Sequence, residues 1–176
     1  MSPPAWWLGE QIRIAGEDTR ATKKIYMFKP RLKRLDMLYT DAPVYFLTAC
    51  TDGRRALLAN AGVHDVFIRY TQEAGNHGVL VGRYVLMPDH VHLFAAFSPA
   101  SPSVSEWMKG LKAVVARHLK SRQVSAPYWQ ERFFDHVMRS VESYAQKWLY
   151  VRDNPVRAGL VANWADWPYQ GEINPL

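Results

Sequence analysis

Cysteine is almost missing from this chain, with Cys50 the single thiol among 176 residues. One thiol excludes an internal disulfide and any multi-cysteine zinc site. Its strand-like neighbours Leu47, Thr48 and Ala49 make it an expected small buried hydrophobe in a reducing compartment. Uncharged apolar runs long enough to span a bilayer are absent too, so no membrane partner is expected. The start of the chain, Trp6-Trp7-Leu8 followed by Glu10 and Arg13, has neither the basic opening nor the apolar stretch of a secretory leader, and the expected location is the cytoplasm. No internal repeat is found. Acidic residues are in deficit, 16 against 22 lysines and arginines, which leaves a net charge of +6. Together with seven tryptophans and nine tyrosines, that balance suits a polyanionic partner with flat faces to stack on, as nucleic acid has.

The length fits one main domain. Residues 1–42 read as a basic extension, in which Lys23, Lys24, Lys29, Arg31, Lys33 and Arg34 alternate with apolar residues; either a solvated arm or a phosphate-wrapping one would look like this. Residues 43–170 read as the domain and 171–176 as a tail. Within the domain, Val44–Thr51 is rich in strand formers and closes on Asp52-Gly53. An amphipathic helix is expected between Arg55 and Glu73. Strands follow over Gly78–Met87 and His90–Phe97, joined by a Pro88-Asp89 turn. Ser103 with Glu106 three residues on caps a second helix. A short fourth strand starts near Phe133, and Ser140 with Ser143 opens a third helix that Pro155 limits. The order strand, helix, strand, strand, helix, strand, helix predicts an α+β fold. It is that of a ferredoxin-like split βαβ sandwich, an antiparallel sheet with helices on one face.

Chemistry concentrates at two places. His90 and His92 stand at i and i+2 of a strand and so share a face, where two neutral imidazoles suit one metal ion or one phosphate. Two half-buried histidines bonded to backbone would give the same pattern. On the last helix, Tyr150 and Asn154 stand four residues apart, a phenol and an amide on one face. Two imidazole nitrogens and an amide oxygen form a mixed site with room for water or a phosphate oxygen, closer to magnesium or manganese usage than to a closed zinc site. Beside such an ion a phenolate can attack a phosphodiester, leaving a 5′-phosphotyrosine and a free 3′-hydroxyl. Tyr144, Tyr84 and Tyr128 are rivals for which a core or stacking role is the default, and only Tyr150 pairs with Asn154. His136, beside Asp135, suits DNA orientation, proton transfer or a structural hydrogen bond. His118 is expected in the core, and His64 and His77 on the surface. Lys109, Lys112, Arg117 and Lys120 form a basic stripe on the second helix, either a solvated outer face or a DNA-binding one beside the histidines.

Three stretches in order resemble one family. They are His90-Val91-His92 after Met87-Pro88-Asp89, Trp129-Gln130-Glu131-Arg132-Phe133-Phe134-Asp135-His136, and Tyr150-Val151-Arg152-Asp153-Asn154-Pro155-Val156-Arg157-Ala158-Gly159-Leu160. Together they look like the signatures of the HUH single-tyrosine transposases, in particular the REP-associated branch, over roughly Val44 to Trp167. The resemblance implies a ferredoxin-like fold and a divalent metal, Mg²⁺ or Mn²⁺, held by His90 and His92 with Asn154. It also implies Tyr150 as nucleophile on single-stranded or hairpin DNA, with short repeated palindromes as the partner element. Monomer and homodimer both stay open. The rival classes are a non-catalytic single-stranded nucleic-acid-binding module on the same fold and a metal-dependent hydrolase that uses water.

Overall fold

The computed structural model describes residues 42–176, so the basic extension expected over 1–42 lies, Ala42 apart, outside the described residues. The elements run β1 (Val44–Cys50), α1 (Ala61–Glu73), β2 (Val79–Leu86), β3 (His90–Phe97), α2 (Val104–Ser121), β4 (Phe134–Val137), α3 (Val141–Arg152), a one-turn α4 (Asn154–Arg157) and β5 (Gln170–Glu172). Their order in the sheet is β4-β1-β3-β2-β5, with every neighbour antiparallel. β1 and β2 therefore run parallel on either side of β3, and β3 and β4 on either side of β1. These are two interleaved split βαβ units, the α+β arrangement read from the sequence. Among the described residues no helix is long and apolar enough to cross a membrane.

β3 is buried on both faces, which is why it reads as an apolar run rather than an alternation. Val91, Leu93, Ala95 and Phe97 point into a core with Val63 and Phe67 of α1 and Trp107, Met108, Leu111 and Val115 of α2. Phe94 and Ala96 point the other way, toward Tyr144, Trp148 and Val151 of α3. Each large buried side chain contributes about 1.5–3 kcal/mol of transfer free energy, so both layers matter to the fold. The expectation of helices on one face thus holds for α1 and α2 only. α3 covers the opposite face because its apolar stripe at positions 144, 148 and 151 meets the second set of strand side chains.

Local signals explain most boundaries. Ser103 and Glu106 make the expected capping box on α2, and Ser140 and Ser143 make one on α3. α1 starts later than expected, at Ala61, because the Asn60 side chain accepts from Val63 N–H and sets the N-terminus there. Helices α1 and α2 approach closely at two glycines. A Cβ on Gly62 would lie 2.7 Å from His118 Nε2, and one on Gly110 would lie 2.3 Å from the Tyr70 hydroxyl. His118 is accordingly a packing residue, as expected. The C-terminal residues are not a tail. Gln170–Glu172 pair with β2, and Leu176 is buried where a Cβ on Gly82 would meet it, so the domain expected to end at 170 runs on through Leu176. Three residues centred on Gly171 carry no apolar alternation that would mark a strand.

Candidate active site

Backbone bonds fix the turn that launches the histidines. Met87 N–H donates to the His90 carbonyl at 2.8 Å, closing the Pro88-Asp89 turn. The loop after β1 grips it from outside: Leu57 and Leu58 N–H donate to the Pro88 carbonyl at 2.8 and 2.9 Å, and Thr51 N–H to the Asp89 carbonyl at 2.9 Å. His90 and His92 follow on the α3 side of the sheet, their ring centroids 4.6 Å apart. His92 is 2% exposed, stacked on Phe46, with Nδ1 2.7 Å from Thr48 Oγ1. Burial, followed by the positive fields of His90, Arg54, Lys147 and Arg157, holds its pKa well below the ordinary histidine value, so the ring is neutral.

His90 is oriented by charge. Its Nδ1 lies 2.6 Å from Asp89 Oδ1, and Arg54 Nε lies 2.7 Å from Asp89 Oδ2. Burial pushes the Asp89 carboxyl up, but its bond to His90 and the charges of His90 and Arg54 outweigh that and hold it below the usual range. An ionised carboxylate only accepts, so Nδ1–H of His90 donates to it. In the neutral ring the lone pair then sits on Nε2. Arg54 and Gly53 have consecutive positive φ values of 57° and 56°. For an arginine that conformation costs about 1–2 kcal/mol, and the half-exposed ion pair with Asp89 offsets part of it. Cys50, paired across the sheet with His90, is half-buried rather than fully buried, with Sγ accepting from Arg54 Nη1 at 2.8 Å. Burial pushes its thiol up, so it stays protonated.

The third helix supplies the opposite wall. Tyr144, Trp148 and Val151 seat it on the sheet, while Tyr150 stays 40% exposed. Lys147, one turn before Tyr150, places Nζ 5.5 Å from the centre of the Phe46 ring. Asn154 opens α4, where Pro155 interrupts the helix. The Arg157 guanidinium lies 4.1 Å from the centre of the Tyr150 ring and donates to the Tyr150 carbonyl and to the Asn154 side-chain oxygen. The positive charge of Arg157 is also among those that disfavour protonation of His92.

A family model described as Transposase IS200 like matches residues 42–150, well over half of the chain. The chain belongs to the IS200-like transposase family. A Haemophilus influenzae protein with a provisional description as a REP-associated tyrosine transposase is 26% identical over 74% of this chain and 80% of its own length. The REP-associated tyrosine transposase of Escherichia coli is 25% identical over 51% of this chain and 52% of its own. The solved structure of a REP-associated tyrosine transposase bound to a REP hairpin superposes with a TM-score of 0.59, at 18% identity, over 85% of this chain and 95% of that one, which shows the shared fold. The protein is a transposase of the HUH type, an enzyme that cuts and joins DNA strands.

The other residues singled out in the transposase sequence fall in different places. His136, on the exposed edge strand β4, pairs in register with Phe46 and so stands on the histidine face of the sheet. The basic stripe does not lie beside the histidines, since α2 packs on the opposite face. Lys109, Arg117 and Lys120 are exposed there. Lys112 donates to the carbonyls of Gln130, Glu131 and Arg132 at 2.8–3.1 Å, so its ammonium holds the loop before β4. Lys112→Met should lower stability by about 1–3 kcal/mol and leave the salt dependence of DNA binding unchanged; a flattened slope with unchanged melting would contradict this. His64 is not an ordinary surface residue: half-buried, its Nε2 lies 2.8 Å from the Tyr84 hydroxyl, and burial lowers its pKa. His77 is exposed, as expected. Lys147 and Arg157 are the site residues that sequence reasoning passed over, although Lys147, Tyr150 and Asn154 follow the i, i+3, i+7 spacing of one helix face.

Two neutral histidines, His92 buried and His64 half-buried, make stability depend on pH. His64 and His92 both have folded pKa values below the unfolded value of about 6.5. Below that pH the unfolded chain binds protons that the folded one refuses, so stability is full above about 6.5 and is lost as the pH falls. The melting temperature should drop between pH 7.5 and 5.5; a rise over that window would contradict the burial of neutral rings.

Among the described residues no three His, Cys, Asp or Glu side chains form a metal-binding group, so a metal centre here needs an amide, water or substrate oxygen beside the histidines. The pair itself fits a divalent ion. Nδ1 of each ring is engaged, by Asp89 and by Thr48, and Nε2 would be the ligating nitrogen. The Asn154 oxygen accepts from Arg157 through one of its two lone pairs, and the other would serve an ion.

Proposed function

We propose that the transposase cleaves single-stranded or hairpin DNA at palindromic elements through a covalent 5′-phosphotyrosine on Tyr150. The observation that carries this reading is the shared face: α3, which presents exposed Tyr150, packs on the side of the sheet where His92 stacks on Phe46. Tyr150 Oη forms a bond to phosphorus, the bond from phosphorus to the 3′-oxygen breaks, and that oxygen leaves as a 3′-hydroxyl with the proton balance closed by the phenol's proton. A divalent ion, Mg²⁺ or Mn²⁺, held by His90 and His92 with Asn154 as the third ligand, would supply positive charge that polarises the phosphodiester. Lys147 and Arg157 attract the backbone to this face, and His136 stands at its edge. The exposed basic residues of α2 add only a general field.

Hairpin DNA is the substrate supported by the relative solved with a REP hairpin, together with the 40% exposure of Tyr150. Monomer and homodimer are both compatible with this reading, and a DNA-processing role fits a cytoplasmic protein. Strand transfer tests the reading. The adduct should rejoin its 5′ end to an added strand with a free 3′-hydroxyl, with no nucleoside triphosphate present, because transesterification conserves the phosphodiester bond. Release of a 5′-phosphate to water without rejoining would instead indicate a hydrolase.

A further inference from the structure

Arg157 is held more firmly than a solvated helix-end arginine needs to be. Nη2 makes both of its hydrogen bonds, one to the Asn154 side-chain oxygen and one to the Tyr150 carbonyl at 2.6 Å, and the guanidinium carbon rests on the Tyr150 ring. Among the described residues nothing accepts from Nε or Nη1, so two of the three nitrogens stay available on an exposed side chain. A helix cap uses the anchored nitrogen alone. The remaining N–H bonds belong to a guanidinium whose carbon lies 4.1 Å from the centre of the Tyr150 ring.

We propose that Arg157 is a catalytic residue of strand cleavage, donating from Nη1 or Nε to a non-bridging oxygen of the scissile phosphate while Tyr150 Oη attacks. The proposal rests on the assignment of Tyr150 as nucleophile. During the step, phosphorus gains the bond to Oη and loses the bond to the 3′-oxygen. Arg157 neither gains nor loses a proton, and it offsets the negative charge that builds on the non-bridging oxygens. Because the ring and Nη2 already order the guanidinium, little reorganisation is left for the transition state. Lysine has one nitrogen and cannot both hold the two protein oxygens and present a separate donor to the phosphate.

The test is single-turnover adduct formation on hairpin oligonucleotides copied from inverted repeats beside the gene, carrying either the natural phosphodiester or a methylphosphonate at the scissile position. Arg157→Ala should slow the natural substrate by about 10²–10³-fold at saturating DNA, the cost of losing one transition-state donor. Arg157→Lys should recover only a small part of the rate. On the methylphosphonate, which lacks the anionic oxygen, the ratio of wild-type to Arg157→Ala rates should collapse toward one. An equal ratio on both linkages would overturn the proposal and leave Arg157 a structural cap. Should the alanine variant melt early, the same comparison with Arg157→Lys decides. Tyr150→Phe, run in parallel, separates the two claims: an adduct that persists there removes the nucleophile assignment whatever the linkage comparison gives.

Discussion

Tyr150→Phe should bind a hairpin oligonucleotide as the wild type does and form no covalent adduct, with cleavage reduced by at least about 10³-fold, as expected when a nucleophile is removed. The change deletes one oxygen from a side chain that is 40% exposed and keeps the ring that carries Arg157, so the fold should be unaffected. The rival tyrosines lack the required setting. Tyr144 is buried against Phe94 at 4.5 Å between ring centroids. Tyr84 is buried, bonded to His64, and burial pushes its hydroxyl up to about 12. Tyr128 donates to the Val124 carbonyl. Denaturing gels of wild-type and variant reactions read the result: cutting without an adduct would favour water as nucleophile, and an unchanged adduct would place the nucleophile elsewhere.

The two histidines should fail differently when removed. His90→Ala should take adduct formation to background in magnesium or manganese yet cost only about 1 kcal/mol of stability, because Asp89 keeps its Arg54 partner near the surface. His92→Ala should lose cleavage and also about 2–4 kcal/mol of stability. Its ring is fully enclosed between Phe46 and Thr48, so alanine leaves a cavity and an unsatisfied hydroxyl. Melting curves alongside adduct yields check the pair. Wild-type yield from His90→Ala would remove the histidines from the chemistry, and equal melting of the two variants would contradict the burial difference.

How much of this was legible depended on the range of the signal. Caps and strand alternation are local, and Ser103 with Glu106, Ser140 with Ser143, and the His90–His92 spacing could all be read directly. The face covered by the third helix was not legible, because it depends on which strand side chains Tyr144, Trp148 and Val151 meet across the sheet. Lys112 looked like part of a basic stripe, since its acceptors are carbonyls of a loop 18–20 residues away. Arg54 was hidden for a similar reason: its partner Asp89 lies on another strand's turn, and its left-handed backbone has no side-chain signature. Arg157 stood within a quoted motif, but its stack on Tyr150 depends on how the chain bends at Pro155. β5 was missed because Gln170-Gly171-Glu172 has no apolar period to read.

The central claim is that Tyr150 carries the DNA, and mass spectrometry of the protein–DNA adduct tests it most directly. After reaction with a hairpin oligonucleotide and manganese, nuclease and protease digestion should leave one peptide containing Tyr150 with a nucleotide joined through its 5′-phosphate to the phenol oxygen. The released strand should end in a 3′-hydroxyl. A nucleotide found on Tyr128, Tyr144 or any side chain other than Tyr150, or one attached through its 3′-phosphate, would contradict the account.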